Sequence, residues 1–239
     1  MSRARESRAR IIETAAAAGG GALLGAAAGR TVALGWPMGA IGALNGAICG
    51  SGAVYEWTRV RGWASFVLDS TWAQATTAGA LVLHAASHVV GEPGRIHSLS
   101  TRTNRTVYSR GFVVRRGFAF CIGNVITGAS SEGDIDDGSS TSLRRRRLVE
   151  RHEDRHVWQA RVLGPLYPML YGAWMAAGGI TGLLVWAARR PAPLRRCIET
   201  IAYYDNPFEY SAYRADGYWP PRGAVESLAW RPRSASRGT

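Results

Sequence analysis

Glycine recurs at every fourth position near the start of this chain: Gly21, Gly25 and Gly29, then Gly42, Gly46 and Gly50. Residues four apart share one face of an α-helix, so the pattern draws two stripes that carry no side chains. Such stripes let two backbones approach closely, the device of membrane helix pairs. The surroundings are equally restrictive. No charge lies between Thr14 and Gly29, and after Arg30 there is none until Glu56. Pro37, flanked by Gly35 and Gly39, predicts a break between two helices.

This front resembles the glycine-zipper segments of bacterial membrane proteins. The resemblance implies a helical hairpin in the membrane and, through its glycine faces, oligomers. The arginines of the head (MSRARESRAR) predict a cytoplasmic N-terminus, and the resemblance implies a bacterial inner membrane. The apolar part is Ala/Gly-rich and long, which favours a retained hairpin or signal anchor over a cleaved signal peptide. All 29 basic residues are arginine, against 17 acidic ones, for a formal charge of +12. Without lysine there is no Walker-type phosphate lysine, no Schiff base and no Ser-Lys dyad. Arg144–Arg147, with Arg151 and Arg155, could meet anionic lipid. Nucleic acid ranks low as a partner, because no nucleic-acid-binding motif accompanies the charge. Cys49, Cys121 and Cys197 are far apart and form no C-x-x-C pair, so neither a disulfide framework nor a thiolate zinc site is expected.

The chemistry concentrates in His152-Glu153-Asp154-Arg155-His156, which reads H-E-x-x-H. On a helix predicted over Leu143–Arg161, His152 and His156 share a face and can bind one zinc ion, with Glu153 as general base toward a zinc-bound water. The two variable positions of the pentad, Asp154 and Arg155, are charged, which is unusual for such a helix. They point away from the histidine face and imply a solvated or salt-bridged back. The other histidine pair, His84 and His88, lacks an intervening carboxylate and reads as packing. Ser130–Ser142 reads as a solvated acidic loop rather than a calcium loop.

Upstream, the run GFVVRRGFAFCIGNVITG predicts a hairpin: Phe112–Val114, a turn at Arg115-Arg116-Gly117, then a strand over Phe118–Thr127. This strand and the pentad helix together resemble the metallopeptidase-like core domain linked to bacterial contractile injection systems. The matching residues are Ala119, Phe120, Gly123, Ile126, Leu148, His152, Glu153, His156, Val157 and Gln159. The resemblance covers roughly residues 105–216. It implies a strand beside the active-site helix that pairs with an extended peptide, with Phe120, Gly123 and Asn124 meeting the substrate. Downstream, Asn206-Pro207-Phe208-Glu209-Tyr210-Ser211-Ala212 resembles the E-x-x-A ligand helix of glutamate-type zincins. That implies Glu209 as third metal ligand. Asp205 is the weaker alternative, or the partner of a histidine ring nitrogen. Tyr203, Tyr204, Tyr210 and Tyr213 are candidate donors to an oxyanion.

One constraint follows. The uncharged run from Val162 to Ala188 is long enough to span a bilayer, with Tyr167, Tyr171, Trp174 and Trp186 as interface anchors. A single straight span would put Glu209 and the histidines on opposite sides. Either Glu209 is not the third ligand or the run doubles back; the expectation is the second, an apolar hairpin over 162–188, with Pro165, Pro168 and especially Gly178-Gly179 as places to turn. The predicted fold is α+β, mostly α. It comprises a basic head and glycine-zipper hairpin (1–60), an apolar helix and connector (61–104), a zincin-like domain (105–220) and a disordered basic tail (221–239). The predicted activity is that of a membrane-associated zinc metallopeptidase acting on a peptide or protein. The alternative is a non-enzymatic glycine-zipper membrane protein, effector or structural, with a degenerate zincin scaffold.

Overall fold

A computed structural model describes residues 3–115, 117–130 and 138–230. The chain divides into two compact units, Met1–Pro168 and Met169–Thr239. The fold class is as expected: mostly helical, with one small three-stranded sheet. The expected turn residue Arg116, most of the acidic loop (131–137) and the last part of the tail (231–239) lie outside the described residues.

The first unit opens with α1 (Arg3–Arg30) and α2 (Gly35–Ser51), joined by the short connection expected near Pro37. The break falls at 31–34, and Pro37 itself sits in the first turn of α2, where a missing N–H costs little. The two helices are antiparallel and their glycine stripes face each other. A Cβ on Gly21 would lie 2.3 Å from the Gly42 carbonyl oxygen, one on Gly25 2.3 Å from that of Met38, and one on Gly46 2.1 Å from that of Ala17. The zipper therefore closes within the chain.

Helices α3 (Val60–Ser70), α4 (Gln74–Val89) and the single turn α5 (His97–Ser100) lead into the sheet. Its strands are β1 (Thr106–Val107), β2 (Phe120–Ile122) and β3 (Val125–Thr127), in the order β1-β3-β2. β3 pairs parallel with β1 and antiparallel with β2. The hairpin is thus not the predicted one. Phe112–Val114 is not a strand, and the predicted long strand folds on itself at Gly123-Asn124. Gly123 takes φ +55 there, and a Cβ on it would meet the Thr76 carbonyl oxygen. A turn of this shape favours glycine, and an internal Gly-Asn is a turn signal inside an otherwise strand-like run.

Alternation along β3 fills both faces of the sheet. Ile126, with Val107, packs against Val149 and Val157 of the helical segment that carries the pentad. Val125, with Tyr108, packs against Ala80 and Leu83 of α4. A third cluster joins Ala17 and Cys49 of the glycine hairpin to Tyr55 and Phe66. The unit continues through α6 (Ser140–Arg147), a π-helical segment (Leu148–Glu153) and α7 (Asp154–Leu163). Ser139 caps α6 by accepting from Ser142 N.

A buried polar network ties these parts together. Arg161 of α7 makes two 2.8 Å hydrogen bonds to the Asp69 carboxylate of α3, and both side chains are 3% exposed. Asp69 also accepts from the Tyr55 hydroxyl and from Asn124 Nδ2, while Asn124 and Tyr55 each bond Asn45 of α2. The glycine hairpin is thereby fastened to the sheet turn and to the pentad helix.

The apolar run forms one unbroken helix, α8 (Leu166–Arg189), which begins at the end of the first unit. This corrects the predicted hairpin over 162–188. Pro168 falls in the first turn, where it is tolerated. Gly178 and Gly179 do not turn the chain. The chain returns instead through α9 (Leu194–Ile198) and a second π-helical segment (Glu199–Tyr204), which lie antiparallel along α8. Gly182 faces Ile198, Gly178 faces Ala202, and Tyr171 faces Glu209. Numbers fall on one leg as they rise on the other, as an antiparallel pair requires. Helix α10 (Pro207–Ala215) follows, and segment 217–230 packs behind the return leg. Trp230 stacks edge-on against Trp174 and Tyr210, and Ala224 and Ala229 are buried. Residues 221–230 are therefore a packed part of the second unit, which shortens the predicted tail.

Candidate metal centre

The pentad lies on helical backbone, as its spacing predicts, but not on a plain α-helix. His152 and Glu153 occupy the last positions of the first π-helical segment, and His156 lies on α7. π-Helical turns are rare and concentrate at functional sites. The second π-helical segment ends five residues before Glu209. His152 is 3%, Glu153 6% and His156 7% exposed, a degree of burial that ionisable groups seldom show without partners.

The two imidazoles converge: His152 Nε2 and His156 Nε2 are 3.3 Å apart. The far side of the His156 ring is held. Its Nδ1 lies 2.9 Å from Gln159 Oε1 and 3.2 Å from the Tyr167 hydroxyl. Gln159 Oε1 can only accept, so Nδ1 carries the ring proton and Nε2 presents a lone pair.

Glu209 is placed by local rules. Asn206 caps α10, its side chain accepting from Phe208 N, and Pro207 takes the first helical position. Glu209 then falls in the first turn and is 4% exposed. The Tyr171 hydroxyl donates to its Oε1 at 2.8 Å. His152, His156 and Glu209 are all buried, and this group could hold a metal ion.

Asp154, the odd residue inside the pentad, has a structural task. It pairs with Arg61 of α3 at 2.8 Å and with Arg105 beside β1, fastening the back of the helix to the rest of the unit. Cys121, on β2, faces the same helix. Burial, followed by the charges of Glu153 and Asp154, holds its thiol well above the ordinary range.

The structure separates the other predicted site residues. β2, with Phe120 and Cys121, is an edge of the sheet. Phe120 itself turns toward the α4 side. Asn124 is 2% exposed and its amide is engaged by Asn45 and Asp69, so its side chain serves the polar network rather than a substrate. Gly123 is spent on the turn. Asp205 accepts from Trp230 N at 3.0 Å, and the ring-nitrogen partner role that was its alternative is taken at His156 by Gln159. Burial raises the Asp205 carboxyl to about 6 against a weaker opposing effect of that hydrogen bond.

Sequence reasoning missed the roles of Gln159, Tyr167 and Tyr171. The two tyrosines, read as interface anchors, are one turn apart on α8 and turn their hydroxyls to His156 and Glu209. Their i, i+4 spacing was the available signal. The second histidine pair packs as expected: His84 Nδ1 meets the Tyr108 hydroxyl at 2.6 Å, and the rings of His84 and His88 lie 4.7 Å apart. No family model, curated protein or solved structure matches the chain.

Proposed function

We propose that this protein is a membrane-associated metallopeptidase in which His152, His156 and Glu209 hold zinc and Glu153 acts as general base. The observation that carries the reading is the convergence of two buried imidazole nitrogens at 3.3 Å within the first unit. Tetrahedral zinc with Zn–N bonds of about 2.0–2.1 Å implies ligand nitrogens about 3.3–3.4 Å apart, and two histidines plus a glutamate are a catalytic zinc donor set. A bound zinc ion would supply a Lewis-acid centre that lowers the pKa of a water molecule.

The chain's own residues supply the rest. Gln159 and Tyr167 hold the His156 ring in one tautomer and orientation. Tyr171 fixes one oxygen of Glu209. Glu153, next to His152 in sequence and buried, is the carboxylate to take the water's proton and pass it to the leaving amine. β2, an edge strand of the sheet among the described residues, offers backbone donors and acceptors to an extended peptide. Membrane association is supported by α1 and α8, both long and apolar enough to cross a bilayer. The predicted inner-membrane location and cytoplasmic N-terminus belong to this reading.

Metal analysis of the purified chain tests it. The wild type is expected to carry about one zinc, the number one three-ligand site holds. His152→Ala and Glu209→Ala are expected to lose it. Glu153→Gln is expected to keep the metal but lose peptide hydrolysis. Tyr171→Phe and Gln159→Leu are expected to weaken zinc affinity about 10–100-fold, as loss of a ligand's hydrogen-bond partner does. Zinc content that is nil in the wild type, or unchanged in His152→Ala, rejects the reading.

A further inference from the structure

We infer that α8 meets the lipid bilayer lying in its surface plane, through its exposed apolar face, rather than by crossing it. The inference rests on the membrane association proposed above and says which surface makes it and in what orientation.

From Met169 to Ala188 no residue of α8 is charged. Its exposed side includes Met169, Leu170, Ile180, Leu183 and Leu184, between 46% and 67% exposed, with Ala173, Ala176 and Ala187 on the same side. This face is wider than the two-in-seven seam of a coiled coil, and Thr181 is the one hydroxyl on it.

The opposite side of α8 is what rules out a crossing. There the return leg, from Cys197 to Glu209, runs beside α8 from Gly182 to Tyr171. A crossing α8 would carry this leg into the hydrocarbon. The leg holds Glu199, Thr200, Asp205 and Asn206, and no stretch of it approaches the roughly 20 apolar residues a span needs. Behind the leg lies irregular backbone: Val225 N donates to Thr200 Oγ1, Trp230 N to Asp205 Oδ1, and Arg196 reaches the carbonyls of Arg222 and Gly223. Irregular segments of this kind do not sit exposed to lipid. Apolar face outward with polar layers stacked behind is the arrangement of an interfacial helix.

Charge decides for lipid over a second copy of the chain. Arg189, Arg190, Arg195 and Arg196 are all exposed at one end of the hairpin. Of these, Arg195 has an acidic partner, Glu199 at 2.9 Å, and Arg190 lies over the Trp186 ring at 5.4 Å. Exposed arginines beside an apolar helix suit anionic headgroups, worth about 1 kcal/mol per basic residue near the surface.

Depth measurement tests the orientation. Ala173→Cys, Ile180→Cys and Ala187→Cys lie seven apart on one face. Each full-length variant is labelled with bimane, with the wild type carried through the same labelling as blank. Vesicles of phosphatidylcholine and phosphatidylglycerol carry quenchers at known chain depths. An in-plane helix gives quenching at all three positions with one common depth. A crossing helix gives depths graded over about 21 Å, from the 1.5 Å rise across fourteen residues. A graded series overturns the in-plane placement but keeps the membrane association. Absence of quenching, with α8 labels buried in a dimer, overturns both. Zinc content of the same samples reports on the metal site separately.

Discussion

The two helical hairpins of this protein use the same device to different ends. In α1–α2 both legs carry glycine, and backbone meets backbone: a Cβ on Gly42 would lie 2.1 Å from the Gly21 carbonyl oxygen. In the hairpin of α8 and its return leg, glycine is on one leg, and Gly178 and Gly182 receive Ala202 and Ile198. The first hairpin is fastened by a buried, fully paired ion pair through Asn45, Tyr55, Asp69 and Arg161. The second is fastened by tyrosine and carboxyl hydrogen bonds and by tryptophan packing. Doubly lined glycine faces give the closest approach and serve scaffolding. A singly lined face leaves the partner leg free to carry larger side chains, here Ile198 opposite Gly182.

The largest expected effect breaks the first fastening. Arg161→Leu strands Asp69 as an uncompensated buried charge and is expected to cost about 3–5 kcal/mol. Asp69→Ala with Arg161→Leu together is expected to recover part of that loss. Denaturant melts of single and double variants read the coupling, and additive losses would show that the pair does not hold the hairpin to the helix.

Next come the glycines, where neighbours have opposite expected signs. Gly42→Ala and Gly178→Ala each force backbones apart and are expected to destabilise by about 1–3 kcal/mol. Gly19 and Gly179 have nothing within 4 Å of an added Cβ. Gly19→Ala and Gly179→Ala are therefore expected to stabilise by about 0.5–1 kcal/mol, the helix-propensity gain. Equal effects at Gly178 and Gly179 would deny the second hairpin its packing.

The smallest effect concerns pH. The folded Asp205 carboxyl titrates near 6 against 3.8 in the open chain. A raised carboxyl pKa means the folded state binds the proton more tightly, so its stabilising effect is full below about 4 and is lost as pH rises through about 6. Asp205→Asn is expected to flatten the stability profile across that window. A profile that keeps its slope would assign the titration to another group.

Much of this was readable in sequence because it is local. The glycine spacing gave the facing stripes, the pentad gave two histidines on one face, and Asn206-Pro207 gave the start of the helix that carries Glu209. These depend on helical period and on caps, which act over a few residues. The turn at Gly123-Asn124 was local as well, but the strand-forming residues around it masked the signal. Gly178-Gly179 misled for the converse reason: alone it reads as a break, and only a partner leg at that face makes it a contact.

The sequence by itself determined which residues could act and which faces they share. Tertiary structure decided which of them meet. Asp205 turns one oxygen to the backbone of Trp230, while the Tyr171 hydroxyl meets Glu209. Gln159 and Tyr167 meet the His156 ring and Tyr171 meets Glu209, the two tyrosines lying one turn apart on a continuous α8. Asp154 became a fastening to Arg61 and Arg105 instead of a blemish in the motif. Helical period is written in neighbouring residues, whereas the meeting of side chains far apart in the chain depends on a path that no short stretch of sequence encodes.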